Sequence, residues 1–321
     1  MPPNDTANPM IPKSVLKRTA DADGVKRDKY DISRLLAVGR QAAEAAGKIQ
    51  MAHFARHDYD VTATFAHDLT IEVDELCESA ILNVIRRQFP GHSILSEEAG
   101  ASGPPDSEYV WIIDPLDGTV NFYHGIPYFC SCVACYRLEG PFDDHDNQTT
   151  VKWLETARPM AGVVYAPAMS QMYCAVAGQG ATCNGRSLIT PSAKHLSDAV
   201  VTVSLGSRKH TIGYMTRLIE HLAHLAQKVR IFGATGLDIA QVATGAASGL
   251  IQPRVQIWDF AAARMILEES GGVFHASADT EGAWQIVAAT QPLHETLKTM
   301  LETYQALSGK PTRPSAANGS L

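Results

Sequence analysis

The chain has no apolar run near the roughly 20 residues that a membrane-spanning helix requires, and its opening segment MPPNDTANPMIPKS lacks the charged-then-apolar layout of a secretory leader. Positive charge is also in short supply: 27 Lys and Arg stand against 34 Asp and Glu, for a net charge of -7. That balance argues against sequence-independent attraction to nucleic acid or an anionic membrane, both of which reward basic patches. A small ligand and a cytoplasmic address are expected instead. No internal repeat is visible. There is no disulfide framework either. Six cysteines in 321 residues, with Cys130, Cys132 and Cys135 inside one apolar segment, read as reduced core thiols. The C-x-x-C at Cys132 and Cys135 has no second pair, and the two-residue period of a strand sends its two thiols to opposite faces, which disfavours a zinc site.

What is present is a chain that is 45% hydrophobic and long enough to bury a substantial core. Residues 1–28 and 308–321 are polar and unpatterned and are expected to fray, leaving a folded body over 29–307. Helical spacing predicts helices from Ile32 toward Phe54 and from Asp74 to Phe89. Strand-like runs follow at YVWIID and YFCSCVACYRL, then a surface insertion over residues 139–160, then a hairpin or meander from AGVVYAP and QMYCAVAG. The second half alternates: strand AVVTVSL, helix Tyr214 to Gln227, strand KVRIFG, helix Leu237 to Ala247, strand GLIQP, helix Phe260 to Ser270, strand WQIVAA. Layered sheets and helices of the α/β class are expected.

Three strand or helix ends carry acids. WIIDPLDGTVNF sets Asp114 and Asp117 after the apolar run Val110 to Ile113, ILSEEAG places Glu97 and Glu98 after another, and IWDFAAARMILEESGG puts Asp259 at a helix start. A buried strand ending in carboxylates demands a positive partner, and oxygen-only donors suit Mg²⁺. Pro115 stiffens the turn so that the Leu116 carbonyl could also serve, Gly118 lets the backbone come close, and Thr119 with the amides after it could open a short helix that holds an anion. Two plainer readings stand beside this one. D-P-x-D-G is ordinary turn chemistry, and Asp259 alone could be a helix cap.

SEEAG, WIIDPLDGTVNFYHGIPYF and WDFAAARMILEESGG, in that order and at those separations, resemble the three signature blocks of the inositol monophosphatase family. The resemblance covers about Tyr30 to Leu307. It implies a five-layer α/β/α/β/α sandwich, a homodimer, and Mg²⁺-dependent, Li⁺-sensitive hydrolysis of a small phosphorylated polyol or sugar, inositol 1-phosphate first among them. It further implies Glu97, Asp114 and the Leu116 carbonyl at one metal site, and Asp114, Asp117 and Asp259 at another. Asp74 in HDLTIEVDE would pair with Thr119 to orient and deprotonate the attacking water, with Glu97 beside them. Gly118, Asp117 and Thr119 would meet the substrate, as would Ser204, Gly233 and Thr235 in loops that could equally be turn and packing segments. Phosphoryl transfer works by positioning and charge neutralisation, so no catalytic Cys, Ser or His is required, and His124 reads as a loop histidine. Glu98 is expected beside the site or on the surface.

At Gln252 the sequence departs from the resemblance, because the inositol enzymes of the family usually place a glutamate there to accept from two hydroxyls. An amide holds a hydroxyl without the strength that charge adds, which predicts a looser grip on the polyol and a broader substrate range. Histidinol phosphate, fructose bisphosphate and nucleotide 3'-phosphate remain alternative substrates, and a non-catalytic partnership with the transcription machinery is an alternative role.

Overall fold

Residues alternate between two packed faces along the central strands, and this sorting builds the layers. In the computed structural model, which describes residues 31–56, 58–64, 69–140, 142, 156–191, 195–206, 208–278 and 283–308, the central strand β5 runs Tyr109–Asp117 and is buried throughout. Its Val110 and Ile112 join one core, while Trp111 and Ile113 join another on the opposite face. The neighbouring strand β6, Cys130–Arg137, divides likewise, with Cys132, Ala134 and Tyr136 on the first side and Val133 and Cys135 on the second. Cys132 and Cys135 therefore point apart, as the strand period predicts, and all six cysteines are free thiols.

Six more strands complete this sheet: β3 (Ser93–Ser96), β4 (Gly100–Ser102), β7 (Arg158–Ala166), β8 (Gln171–Val176), β9 (Gly180–Cys183) and β10 (Arg186–Leu188), in the order β10-β9-β8-β7-β6-β5-β3-β4. The expected hairpin is β7 with β8, paired antiparallel. A small hairpin, β1 (Val61–Thr64) with β2 (Leu69–Ile71), stands apart from it. One face of the large sheet carries α1 (Ile32–His53) and α2 (Glu72–Gln88), which bury Leu35, Val38, Ala42, Ile81 and Ile85 against Trp111 and Val133.

The second sheet holds β11 (Val200–Val203), β12 (Lys228–Arg230), β13 (Gly249–Val255), β14 (Val273–Ala278) and β15 (Trp284–Ala289), ordered β12-β11-β13-β15-β14. Between the sheets lie α5 (Thr235–Thr244) and α6 (Ile257–Glu269), whose Leu237, Ala240, Phe260 and Ile266 share a core with residues of both sheets. On the outer face of the second sheet α4 (Lys209–Leu225) and α7 (His294–Ser308) bury Leu218, Leu222, Leu297 and Leu301 against Val201, Ile251 and Val287. The order is helices, sheet, helices, sheet, helices, the five-layer sandwich expected above.

Element bounds differ from the sequence reading in informative places. Four helices begin earlier than apolar periodicity indicates, α2 at Glu72, α4 at Lys209, α5 at Thr235 and α6 at Ile257; in α2 and α6 this is because Asp74 and Asp259 each sit at the third helical position and accept from the cap amide. The expected insertion over 139–160 ends sooner than predicted, since Arg158–Met160 already belong to β7; most of the rest lies outside the described residues, as do residues 1–28 and nearly all of 308–321. Strand β14 and helix α7 were not anticipated.

Candidate active site

The turn after β5 converts an awkward spacing into a shared face. Residues i and i+3 of a regular strand point to opposite sides, yet Asp114 and Asp117 both line one cleft of about 460 Å³. A β-bulge makes this possible: Asp114 pairs with Cys132 and Asp117 with Cys130, so β5 carries one residue more than β6 across that interval. The bulge is pinned from behind. Gln50 Nε2 of α1 donates to the Pro115 carbonyl at 2.9 Å and to Ser131 Oγ at 2.8 Å, and Ser131 Oγ donates to the same carbonyl at 2.8 Å. The next carbonyl, that of Leu116, accepts from Thr119 Oγ1 at 2.9 Å, and both residues line the cleft.

Gly118 and Gly236 let three segments meet. Gly118 has φ 93, and a Cβ there would stand 3.1 Å from both the Ala234 Cβ and the Tyr128 carbonyl. After it comes the one-turn helix α3, Thr119–Tyr123. A Cβ on Gly236 would collide with Cys132 Sγ, so only glycine lets the start of α5 seat against Asp117. The amides of Thr235 and Gly236 donate to Asp117 Oδ1 and Oδ2 at 3.0 and 2.7 Å, and the Cys130 thiol donates to Oδ2 at 3.4 Å. Asn121 Nδ2 ties this corner together by donating to the carbonyls of Tyr128 and Phe232 at 2.9 and 2.8 Å.

Asp74 and Asp259 arrive by the same device on different helices. The cap amide of Ile71 donates to Asp74 Oδ2 at 2.7 Å, and that of Gln256 to Asp259 Oδ2 at 2.7 Å. Each carboxylate thus commits one oxygen to its helix. The other oxygen of Asp74 accepts from Thr119 Oγ1 at 3.3 Å. Asp259 lines the cleft with Glu97, Glu98, Asp114 and Asp117. Asp259 thus caps its helix and lines the cleft with one side chain.

Crowded carboxylates resist ionisation. Burial, then the Glu97 carboxylate, pushes Asp114 well above the usual range. Glu97 is exposed at the lip, yet desolvation by the cleft walls and the charges of Asp259 and Glu98 drive it upward too. Asp117 is pushed up to about 6 by burial, although its two amide donors work against the rise. These donors are all oxygens and repel one another, so a hard divalent cation is the partner whose chemistry they fit.

Ser204, Gly233, Thr235 and Gln252 all line the same cleft. His124 is exposed and packs edge-on to Tyr123, outside the cleft lining. Three residues escaped the sequence reading. Asp238 lines the cleft at 3% exposure and accepts from the Tyr128 hydroxyl at 2.7 Å; burial pushes its pKa up to about 8. An acid in the first turn of a helix ordinarily complements the helix dipole, so nothing in the sequence marks it out. Arg254 lines the cleft two residues beyond Gln252, and Asn121 lies within the DGTVNF stretch without any sequence-level sign of its bridging role.

A sequence model of the inositol monophosphatase family matches residues 31–141 and 149–307. Among curated relatives, the Nus factor SuhB of Pasteurella multocida is 32% identical over 235 residues, covering 73% of this chain and 81% of that protein. The Fructose-1,6-bisphosphatase/inositol-1-monophosphatase of Aquifex aeolicus is 28% identical over 280 residues, covering 87% of this chain and 99% of that one. A solved inositol monophosphatase from Anabaena (Nostoc) shares the fold with a TM-score of 0.69 at 31% identity, over 85% of this chain and 97% of the other. With the family match running through nearly all of the folded body, and with the fold shared with a solved member, the chain belongs to the inositol monophosphatase family.

Proposed function

We propose that the protein is a Mg²⁺-dependent phosphomonoesterase that hydrolyses a small phosphorylated polyol or sugar, with inositol 1-phosphate as the reference substrate. The observation that carries this reading is the convergence of Glu97, Asp114, Asp117 and Asp259 on one cleft, with the Asp74–Thr119 pair at its edge. Glu97, Asp114 and the Leu116 carbonyl would hold one cation, and Asp114, Asp117 and Asp259 another. Bound Mg²⁺ supplies Lewis-acid neutralisation of phosphate charge and makes nearby water more acidic. The chain's own part is orientation and proton transfer. The Thr119 hydroxyl, shared between Asp74 Oδ1 and the Leu116 carbonyl, orients the attacking water. As the water oxygen forms the new bond to phosphorus, its proton passes by way of Thr119 to Asp74. The ester oxygen leaves with the electron pair of the broken P–O bond and takes a proton from solvent. The Thr235 and Gly236 amides keep Asp117 aimed while charge redistributes.

A homodimer and a cytoplasmic location belong to the same proposal; light scattering at micromolar concentration that returned the 34.7 kDa of one chain would count against the dimer. Relatives named Nus factor SuhB favour a second role as a partner of the transcription machinery. A binding role alone would have no use for the full set of Glu97, Asp114, Asp117, Asp259, Asp74 and Thr119. Among the described residues no helix is long and apolar enough to cross a membrane. Phosphate release from inositol 1-phosphate, measured with EDTA and again after Mg²⁺ is restored, tests the proposal. Turnover indifferent to chelation would overturn it. Asp117→Asn should lower turnover on the order of a hundredfold, the scale of losing one electrostatic stabiliser.

A further inference from the structure

Strand β6 turns two of its thiols to the same side. Cys130 and Cys132 stand two residues apart, so the strand period that parts Cys132 from Cys135 brings these two onto one face. There they adjoin the bulge of β5, where Asp117 is the partner of Cys130 and Asp114 the partner of Cys132. Cys130 Sγ lies 3.4 Å from Asp117 Oδ2 and 3.9 Å from Cys132 Sγ. All three atoms fall within 4.8 Å of one another.

These separations suit a tetrahedral cation. Zinc binds thiolate sulfur at about 2.3 Å and carboxylate oxygen at about 2.0–2.2 Å, which makes the edges of its tetrahedron about 3.8 Å between two sulfurs and about 3.6 Å between sulfur and oxygen. The two measured separations lie within about 0.2 Å of those edges. Gly236 closes the third side. A Cβ there would collide with Cys132 Sγ and stand 3.2 Å from Asp117 Oδ2, so only glycine leaves this corner open. The Gly236 amide donates to the same Oδ2 at 2.7 Å, a hydrogen bond that would keep orienting the oxygen once a metal replaced the Cys130 proton. Both thiols are fully buried, whereas Asp117 lines the cleft.

Two kinds of donor chemistry therefore meet at one carboxylate. Glu97, Asp114, Asp117 and Asp259 offer only oxygen, which suits Mg²⁺, whereas thiolates select softer cations. We propose that Asp117, Cys130 and Cys132 form a separate, sulfur-rich metal site for a zinc-class cation, with a cleft water as fourth ligand, and that filling it withdraws Asp117 from Mg²⁺ and arrests turnover. Coordination displaces both thiol protons to solvent. The binding stands on the geometry of β5, β6 and Gly236. The arrest rests on the hydrolase reading above.

Titration of the EDTA-treated full chain with Cd²⁺, followed by the ultraviolet charge-transfer band of cadmium thiolate, tests the site. One equivalent should develop the band in the native protein. Losing a direct ligand should cost at least the roughly 10–100-fold in affinity that losing an outer partner costs, so Cys130→Ser and Cys132→Ser should bind Cd²⁺ that much more weakly and lose most of the band. Cys135→Ser, whose thiol faces the other core, should change neither. No band in the native protein, or an undiminished band in Cys132→Ser, would overturn the site. X-ray absorption of the Zn²⁺-loaded native protein needs no variant: a shell of two sulfurs at about 2.3 Å supports the assignment, and a shell of oxygen and nitrogen alone sinks it. Phosphate release at fixed Mg²⁺ reads the arrest. Half-inhibition of Cys132→Ser should need at least roughly tenfold more Zn²⁺ than that of the native protein, and equal sensitivity would show zinc acting at the oxygen donors instead. If neither protein releases phosphate, the hydrolase reading falls separately, and the cadmium and zinc spectra still decide the site.

Discussion

Asp238 gives a sharp quantitative consequence because it is buried beside the cleft yet not among the expected metal donors. Its carboxyl group titrates near 3.8 when unfolded and is pushed up to about 8 in the fold, by burial first, with the Tyr128 hydrogen bond opposing the rise. A raised folded value means that the native state holds the proton where the unfolded chain has released it. The associated stability is fully present below about pH 4 and is lost as pH climbs toward 8. Each pH unit in that window is worth about 1.4 kcal/mol, or roughly 3 kcal/mol between pH 5 and 7. Asp238→Asn mimics the protonated form, and its amide oxygen can still accept from the Tyr128 hydroxyl. Thermal unfolding of both proteins in EDTA should show the variant gaining on the native protein by about that amount from pH 5 to pH 7, a relative rise in midpoint of about 5 °C for a domain of this size. Asp114, Asp117 and Glu97 titrate in both proteins, so the difference reports Asp238 together with its repulsion by the Asp117 charge. A stability gap that stays flat with pH, or narrows as pH rises, would refute the reasoning.

Gly236→Ala places a methyl group against Cys132 Sγ and 3.2 Å from Asp117 Oδ2, which should pull the α5 amides off Asp117; half-saturation by Mg²⁺ should rise about tenfold or more, and an unchanged Mg²⁺ dependence would show that the amide grip does not matter. Gln252→Glu restores a charged acceptor at the cleft wall and should improve kcat/KM for inositol 1-phosphate about tenfold, since a charged hydrogen bond exceeds a neutral one by roughly 1 kcal/mol; no gain would mean that this side chain does not meet the substrate alcohol.

Sequence exposes some of these residues and hides others for a geometric reason. Asp114, Asp117 and Glu97 could be singled out because they stand where apolar runs stop, and Asp259 because it stands at a helix start; a charge at the end of a buried run needs a partner whatever the fold. That sheets and helices are layered was legible from alternating periods in the second half of the chain, as β11, β13 and the helices between them show, whereas the five-layer order came only from the family resemblance. Strand parity, by contrast, misleads at the site. A period of two puts Asp114 and Asp117 on opposite faces and separates Leu250 from Val255, and in both strands a bulge reverses the outcome. The one local sign of each bulge is a proline, Pro115 and Pro253, which a regular central strand does not admit. The first is held by Gln50, distant in the chain, through the Pro115 carbonyl. Asp238, Arg254 and Asn121 were missed for the same cause: their chemistry appears only after α5, β13 and the Asp114–Asn121 turn have been brought together. Of the two bulged strands, β5 carries Asp114 and Asp117 and β13 carries Gln252 and Arg254, so the cleft draws its walls from both sheets of the sandwich. The donors that hold Asp117 come from α5 and the Cys130 thiol and not from β13; on the proposed function, substitutions on β13 should therefore change which alcohol is accepted and leave the Asp117 clamp in place.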